Sequence, residues 1–267
     1  MTRLEKVALF RSLHVPGNPL VMPNPWDIGS AKLMIHAGAK AVATTSSGFG
    51  FTLGLPDGGR NGREASLMHA ASLVPLGVPV SGDFENGFGA EPDFVAETVR
   101  LSAEAGLAGV SIEDIDLPSD DAYPFDLAVD RIKAAVAAAR DVDIVLCARA
   151  DGWMTRAYDA EEAVRRCRAF AEAGAEVIYA PLVKEEIVRD LAAIGPPVNV
   201  LAAGKMTQHS VAEIAAMGAG RISLGGTLAR LTHRVVLDGA RAVLRDGDLS
   251  GLGAAASAAE IDEILAG

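Results

Sequence analysis

Short apolar runs recur along the chain, each followed by a longer stretch in which apolar residues return at helical spacing. The runs Leu20–Met22, 41–45, 78–82, 109–112, 144–148, 177–180, Val198–Leu201 and 221–224 are too uniformly apolar for half-exposed strands, and they predict strands buried on both faces. Between and after them, the amphipathic stretches 28–37, Arg63–Leu73, Pro92–Glu104, 127–139, Ala160–Ala173, 184–193, 210–217 and 227–244 predict helices. Eight strand–helix pairs in strict alternation read as an α/β fold, a single (β/α)8 TIM-type barrel. Gly38, Gly106, Gly174 and Gly218 each fall where a predicted helix stops before the next strand, which fits helix termination better than nucleotide binding. Asp246-Gly247-Asp248 then predicts a turn, and an Ala-rich stretch at 254–265 a last short helix. No polar linker interrupts the pattern, so residues 1–267 are expected to form one domain.

Composition sharpens this picture. Of 267 residues half are hydrophobic but only 5% aromatic, which predicts a core of small aliphatic side chains. A net charge of -11 argues against nucleic acid or an anionic membrane as the main partner, because both need clustered Lys and Arg. Residues 1–16 mix charged and apolar positions without the apolar centre of a secretory signal, and no window reaches the roughly 18 to 20 apolar residues of a membrane span. Cys147 and Cys167 have neither metal-ligand spacing nor a disulfide framework, so a cytoplasmic protein with unpaired thiols is expected.

Chemistry in such a barrel belongs at the carboxyl ends of the strands. There the sequence offers Ser46, Ser47 and Gly48 after the second strand, Asp83 and Glu85 after the third, Glu113 and Asp114 after the fourth, and Arg149 and Asp151 after the fifth. Carboxylates crowded into one mouth resist ionising together unless a cation lies among them. An oxygen-only set suits a hard ion, Mg2+ or alternatively Mn2+, with Asp83 as direct ligand and Glu85 and Glu113 acting through ordered water. Arg149 supplies a planar fork for a substrate carboxylate. The run Thr44–Gly50 supplies hydroxyls and open backbone N–H groups, with Ser46, Ser47, Gly48 and Phe49 as candidate substrate contacts. The five histidines show no pairing with a nucleophilic Ser or Cys. Two rivals stand beside the metal reading. Leu224-Gly225-Gly226-Thr227 opens a helix that suits a phosphate, with Lys205 as a Schiff-base candidate, and a non-catalytic keto-acid-binding barrel is also compatible with the residues.

At these residues the chain resembles the isocitrate lyase/phosphoenolpyruvate mutase superfamily. The matching segments are Asn24-Pro25-Trp26-Asp27, Thr45-Ser46-Ser47-Gly48, Leu55-Pro56-Asp57-Gly58, Gly82-Asp83-Phe84-Glu85-Asn86-Gly87-Phe88-Gly89, Ser111-Ile112-Glu113-Asp114 and Ala148-Arg149-Ala150-Asp151. The resemblance implies Mg2+-dependent chemistry on α-keto acids through an enolate, with Asp57 near the metal and reacting centre, Arg149 and Glu113 in the catalytic group, and Asp83, Glu85 and Glu113 at the metal. It also implies a homo-oligomer, dimer or tetramer, in which the terminal helix packs on or exchanges with a neighbour. Isocitrate and methylisocitrate lyases carry Lys-Lys-Cys-Gly-His on a mobile loop after the fourth strand, whereas this chain reads Ile115-Asp116-Leu117-Pro118-Ser119-Asp120-Asp121-Ala122-Tyr123-Pro124 there. The Lys and Asn of mutases and phosphonopyruvate hydrolases are absent from it as well. A lyase acting on a small 2-oxo or 2-hydroxy di- or tricarboxylic acid, by carbon–carbon cleavage or decarboxylation, asks least of that loop. Phosphorus–carbon chemistry on phosphoenolpyruvate or phosphonopyruvate is the alternative.

Overall fold

In the computed structural model, which describes residues 1–266, the apolar runs pair as eight parallel strands. They are β1 (Leu20–Met22), β2 (Val42–Ala43), β3 (Val80–Asp83), β4 (Gly109–Glu113), β5 (Val145–Arg149), β6 (Val177–Tyr179), β7 (Val198–Leu201) and β8 (Ala219–Ser223). From β2 to β8 each strand pairs with its sequence neighbour, and β8 pairs with β1, giving the order β1-β8-β7-β6-β5-β4-β3-β2. Across the seam between β1 and β2 the Ala43 N–H donates to Pro23 O at 3.1 Å, and Asn24 Nδ2 to Thr44 O at 3.0 Å. The expected (β/α)8 barrel is thereby formed.

Among the described residues twelve α-helices accompany the strands: α1 (Arg3–Ser12), α2 (Ile28–His36), α3 (Ser46–Thr52), α4 (Arg63–Leu73), α5 (Pro92–Glu104), α6 (Phe125–Val142), α7 (Gly152–Thr155), α8 (Ala160–Ala173), α9 (Glu185–Ala192), α10 (Val211–Ala216), α11 (Thr227–Arg241) and α12 (Ala258–Ala266). Gly106 and Gly174 take φ of 90° and 105° just beyond α5 and α8, a left-handed turn that costs glycine least.

Strand alternation splits the apolar side chains into two cores. Leu146, Ala148, Val110, Ile112 and Ile178 point outward and pack with the helices. Val145, Cys147, Val177, Leu20, Met22 and Ala43 point into the barrel. The amino end is plugged by α1, whose Val7 and Phe10 are fully buried against that inner set. Thr2 and Glu5 fix its start through a reciprocal capping box. The sequence reading gave this segment no helix, because Arg3, Lys6 and Arg11 interrupt the apolar pattern; in the fold Arg3 reaches the Val142 and Asp143 carbonyls, Lys6 that of Val74, and Arg11 pairs with Asp143 and Glu176.

Two other expectations are corrected. The Ser46-Ser47-Gly48 segment is the first turn of α3, N-capped by Thr45, whose Oγ1 accepts from the Gly48 N–H at 3.3 Å. The terminal helix begins at Ala258 rather than at residue 254; within the single chain it lies against α2. Among the described residues no helix is long and apolar enough to cross a membrane.

Candidate active site

Inward alternation that places Ser81, Ser111 and Cys147 in the barrel carries on to Asp83, Glu113 and Arg149 at the carboxyl end of the same strands. Registers set these groups side by side: Asp83 lies level with Ser111, Glu113 with Arg149, and Arg149 with Tyr179. They open into a cavity of about 460 Å3 whose lining includes Asn24, Ser46, Ser47, Asp57, Asp83, Glu85, Glu113, Arg149, Tyr179 and Arg230.

Arg149 is the hub. Its Nη1 donates to Asp83 Oδ1 at 2.7 Å, its Nε and Nη2 grip both oxygens of Asp151 at 3.0 and 2.7 Å, and Nη2 lies 3.0 Å from Glu113 Oε1. Its guanidinium carbon stands 5.0 Å from the centre of the Tyr179 ring. The other oxygen of Asp83 accepts from the Ser46 N–H and hydroxyl at 3.1 and 3.0 Å, and Ser111 Oγ donates to Oδ1 at 3.2 Å.

The acid-glycine loop is built to aim Glu85 inward. Glu85 and Phe88 adopt positive φ of 48° and 64°, a region costly for side chains other than glycine and held only by strong surroundings. Arg131, fully buried, supplies them: it donates to the carbonyls of Asn86, Gly89 and Ala90, while Asn86 Nδ2 bonds Tyr123 Oη at 3.0 Å. The Glu85 carboxylate accepts from the Gly59 N–H at 2.9 Å, which ties it to the loop carrying Asp57.

Glu113 and Asp114 separate by the same alternation. Glu113 enters the cavity, whereas Asp114 faces outward and accepts from the Asp151 N–H, Tyr158 Oη and Arg166 Nη1 at 2.8, 2.8 and 2.9 Å. Asp114 thus braces the backbone that carries Asp151, and Asp151 in turn fixes the Arg149 fork.

Electrostatically the mouth is overloaded with acid. Burial raises the Glu85 carboxyl to about 7, with Asp83 and Asp57 adding to the rise and the Gly59 N–H and Arg149 opposing it. Burial likewise lifts Glu113 well above the usual carboxylate range, reinforced by Asp151, Asp83 and Glu85 against the pull of Arg149. Burial also raises Asp151 to about 6, and Asp57 upward. For Arg149 burial opposes the charge, yet Asp151, Glu113 and Asp83 outweigh it and push the guanidinium well above its ordinary value.

Oxygen donors alone, in surplus over the one guanidinium among them, are what a hard divalent ion calls for. Among the described residues no group of three or more His, Cys, Asp and Glu side chains is arranged so as to hold a metal ion. The carboxylates that could contribute to such an ion are Asp83, Glu85 and Glu113; here Asp83 and Glu113 pair with Arg149, and Glu85 accepts from the Gly59 N–H.

The sequence-derived contacts divide. Ser46, Ser47, Asp57, Asp83, Glu85, Glu113 and Arg149 all line one cavity. Gly48 and Phe49 do not: a Cβ on Gly48 would meet the Thr45, Trp26 and Ala229 side chains, and Phe49 stacks on His69 with ring centres 4.3 Å apart. Starting α3 at Ser46 rotates them away from the mouth. Lys205 is exposed in a 3-10 turn and does not line the cavity. Loop 115–123 closes one side of the mouth through Ile115, Leu117 and Asp120, and Thr155 Oγ1 donates to Asp120 O at 3.0 Å. Sequence reasoning missed Asn24, Asn199, Arg221 and Arg230, all cavity-lining. A polar residue inside an apolar strand was the available signal for Asn199 and Arg221, and helix periodicity concealed Arg230.

Comparison with known proteins agrees with this architecture. The family model for phosphoenolpyruvate phosphomutase matches residues 10–244. A solved candidate lyase/mutase from Burkholderia cenocepacia J2315 is 40% identical and superposes with a TM-score of 0.94 over 99% of this chain and 97% of its own. An uncharacterized protein of Mycobacterium tuberculosis is 34% identical over 219 residues, 81% of each chain. The 2-methylisocitrate lyase of Escherichia coli (strain K12) is 33% identical over 193 residues, 65% of this chain and 64% of the lyase. The chain belongs to the phosphoenolpyruvate phosphomutase family of the isocitrate lyase/phosphoenolpyruvate mutase superfamily, whose members include lyases and mutases.

Proposed function

We propose that this protein is a Mg2+-dependent lyase that cleaves or decarboxylates a small 2-oxo or 2-hydroxy di- or tricarboxylic acid, leaving an enolate-type fragment. One observation carries the reading: Asp57, Asp83, Glu85 and Glu113 converge with Arg149 in a single cavity at the carboxyl end of the barrel. Mg2+, or Mn2+ in its place, would supply Lewis acidity toward an oxygen that becomes anionic as the bond breaks. Asp83, Glu85 and Glu113 would hold the ion. Arg149, locked by Asp83, Glu113 and Asp151, presents a pre-oriented positive charge beside the reacting group, and such fixed donors need no reorganisation as charge develops.

Ser46 orients Asp83 through its N–H and hydroxyl, and Ser46 and Ser47 face the substrate. Asp57, whose one side-chain hydrogen bond among the described residues is from the Gly58 N–H, stands in the mouth with its acidity weakened by burial, as suits a group that holds and moves a proton. Leu117 covers Gly59 and narrows the mouth, which restricts water around an enolate. The carbon–carbon reading is favoured over phosphorus–carbon chemistry because loop 115–123 contributes Ile115, Leu117 and Asp120 to the cavity and no cation to receive a phosphonate.

Screening 2-oxo and 2-hydroxy acids with Mg2+ while following pyruvate or carbon dioxide release tests this. Turnover that chelation stops and Asp83→Ala abolishes is expected. Binding without turnover across the panel would leave a keto-acid-binding barrel, and turnover indifferent to chelation would refute the metal reading.

The same reading includes self-association. Leu231, Val235, Val236 and Leu237 on α11, with Leu244, Leu249 and Leu252 beyond it, are exposed, Val236 at 69% and Leu244 at 82%. Such an apolar surface suits an interface between copies of this chain, dimer or tetramer.

A further inference from the structure

We propose that Tyr179 is the acid that protonates the enolate carbon once the bond to the departing fragment has broken, a further catalytic residue of this cavity. This rests on the enolate reading given above and names the group that completes that reaction.

The cavity has two walls of different chemistry. Asp83, Glu113 and Arg149 mark the β3–β5 side, whereas Pro181, Leu182 and Leu201 line the β6–β7 side. Tyr179 stands where the two meet. Strand register sets Glu113 level with Arg149, and Arg149 level with Tyr179, so the phenol belongs to the same layer as the acid cluster, one strand beyond the guanidinium. Arg149, itself locked by three carboxylates, holds the ring from 5.0 Å.

Tyr179 is 6% exposed and faces into the barrel, yet it lines the cavity, and among the described residues its Oη makes no hydrogen bond. A buried hydroxyl is ordinarily satisfied. Nearby polar groups are already spent: Asn199, level with Tyr179 on β7, donates to Ser223 and accepts from Arg221, while Ser46 and Ser111 donate to Asp83. The Tyr179 proton is therefore left for a ligand. Burial pushes the phenol above its ordinary value, Arg149 opposing and Asp151 and Asp83 adding to the rise, so the group enters the reaction protonated.

Carboxylates that hold an ion have no proton to give, and loop 115–123 brings Ile115, Leu117 and Asp120 to the cavity but no thiol, amine or imidazole. When the substrate bond breaks, its electron pair stays on the retained fragment as an enolate. The Tyr179 O–H bond then breaks and its proton joins the enolate carbon, the enolate electron pair forming the new C–H bond while the enolate oxygen becomes a carbonyl. The phenolate left behind is favoured by the Arg149 charge and regains a proton from water as product leaves. Apolar neighbours on the β6–β7 side limit competing protonation by water.

By microscopic reversibility the same oxygen takes a proton from the methyl group of pyruvate, so hydrogen exchange into pyruvate in D2O, followed by proton NMR with the Mg2+-loaded protein, tests the assignment. Y179F keeps the ring on Arg149 and removes one oxygen that bonds nothing in the protein. Wild type is expected to exchange faster than Mg2+ in buffer, and Y179F to fall by roughly 100-fold, the scale of a lost general acid. Oxalate, which has no carbon to protonate, should bind both proteins within about twofold by calorimetry. A fall in exchange of less than tenfold would overturn the assignment and leave the enolate reading standing, and so would a fall matched by an equal loss of oxalate affinity, which would make Tyr179 a binding group. A wild type that binds oxalate but exchanges no faster than buffer would overturn the enolate reading and this one with it.

Discussion

Arg149 and Arg221 both stand inside the barrel, and their surroundings are opposite. Arg149, at the mouth, is gripped by three carboxylates. Arg221, on β8 and 3% exposed, has among the described residues only neutral partners: Nε donates to Asn199 Oδ1 at 2.8 Å, Nη2 to Cys147 Sγ at 2.9 Å, and Nη1 lies 3.4 Å from His14 Nε2. At the mouth, acid is in excess and sits uneasily, with Glu85 and Glu113 pushed toward their neutral forms. In the interior around Arg221 a base is suppressed, because burial and then the Arg221 charge lower His14 to about 3. The contrast separates chemistry from scaffolding: unbalanced carboxylates invite a cation and a substrate, whereas hydrogen bonds to neutral groups hold a charge in place without reactivity.

Breaking the Arg149 side should have the largest effect. Arg149→Met is expected to lower kcat/KM by roughly 100- to 1,000-fold, the scale of a removed charge-stabilising donor. It should also destabilise the fold by about 3 kcal/mol near neutral pH, since buried carboxylates lose their partner, and less at pH 5, where Asp151, raised to about 6, takes up a proton. Arg221→Met should cost only about 1 to 2 kcal/mol, because Asn199 Oδ1 loses its donor while a desolvated charge is also removed, and kcat should change little. Steady-state kinetics and urea unfolding check both; equal losses of activity would erase the distinction.

Much of this contrast was legible in the sequence, though unevenly. Continuous apolar runs fixed the strands, and position after a strand was enough to bring Asp83, Glu113 and Arg149 to one mouth. Glu85 needed its glycine-rich loop, but not the buried Arg131 that holds it, which comes from a helix distant in sequence. Gly48 and Phe49 were misplaced because a Ser/Gly run is as compatible with a short helix as with a turn, and one residue of helix rotates a side chain by about 100°. Arg221 and Asn199 carried their signal in strand alternation, readable only once the barrel is closed. The α1 plug was readable in the Thr2/Glu5 capping box, which its charged residues disguised.

pH sharpens the same comparison on a smaller scale. Glu85 has a raised folded value of about 7 against 4.5, so its contribution to metal-free stability is full below about 4.5 and is lost as pH rises through 7. His14, lowered from 6.5 to about 3, works in the other direction: its contribution is full above 6.5 and is lost as pH falls toward 3. Melting curves of chelated protein should show Glu85→Gln flattening the decline between pH 5 and 8, and His14→Gln flattening the loss below pH 6.5. Interchanged effects would reverse the assignment of the two regions.

The smallest expected effect on catalysis comes from the outer surface. Val236→Glu should shift sedimentation toward monomer while kcat stays within about twofold, as a change far from the mouth allows. A sedimentation profile identical to wild type would remove α11 from the interface.

Calorimetric titration of Mg2+ into the protein at pH 7 addresses the mouth most directly. One ion per chain is expected, bound with release of protons from the raised Glu85 and Glu113 carboxyls and lost in Asp83→Ala. No uptake with or without a keto acid, or uptake that Asp83→Ala leaves unchanged, would contradict a cation held among these carboxylates.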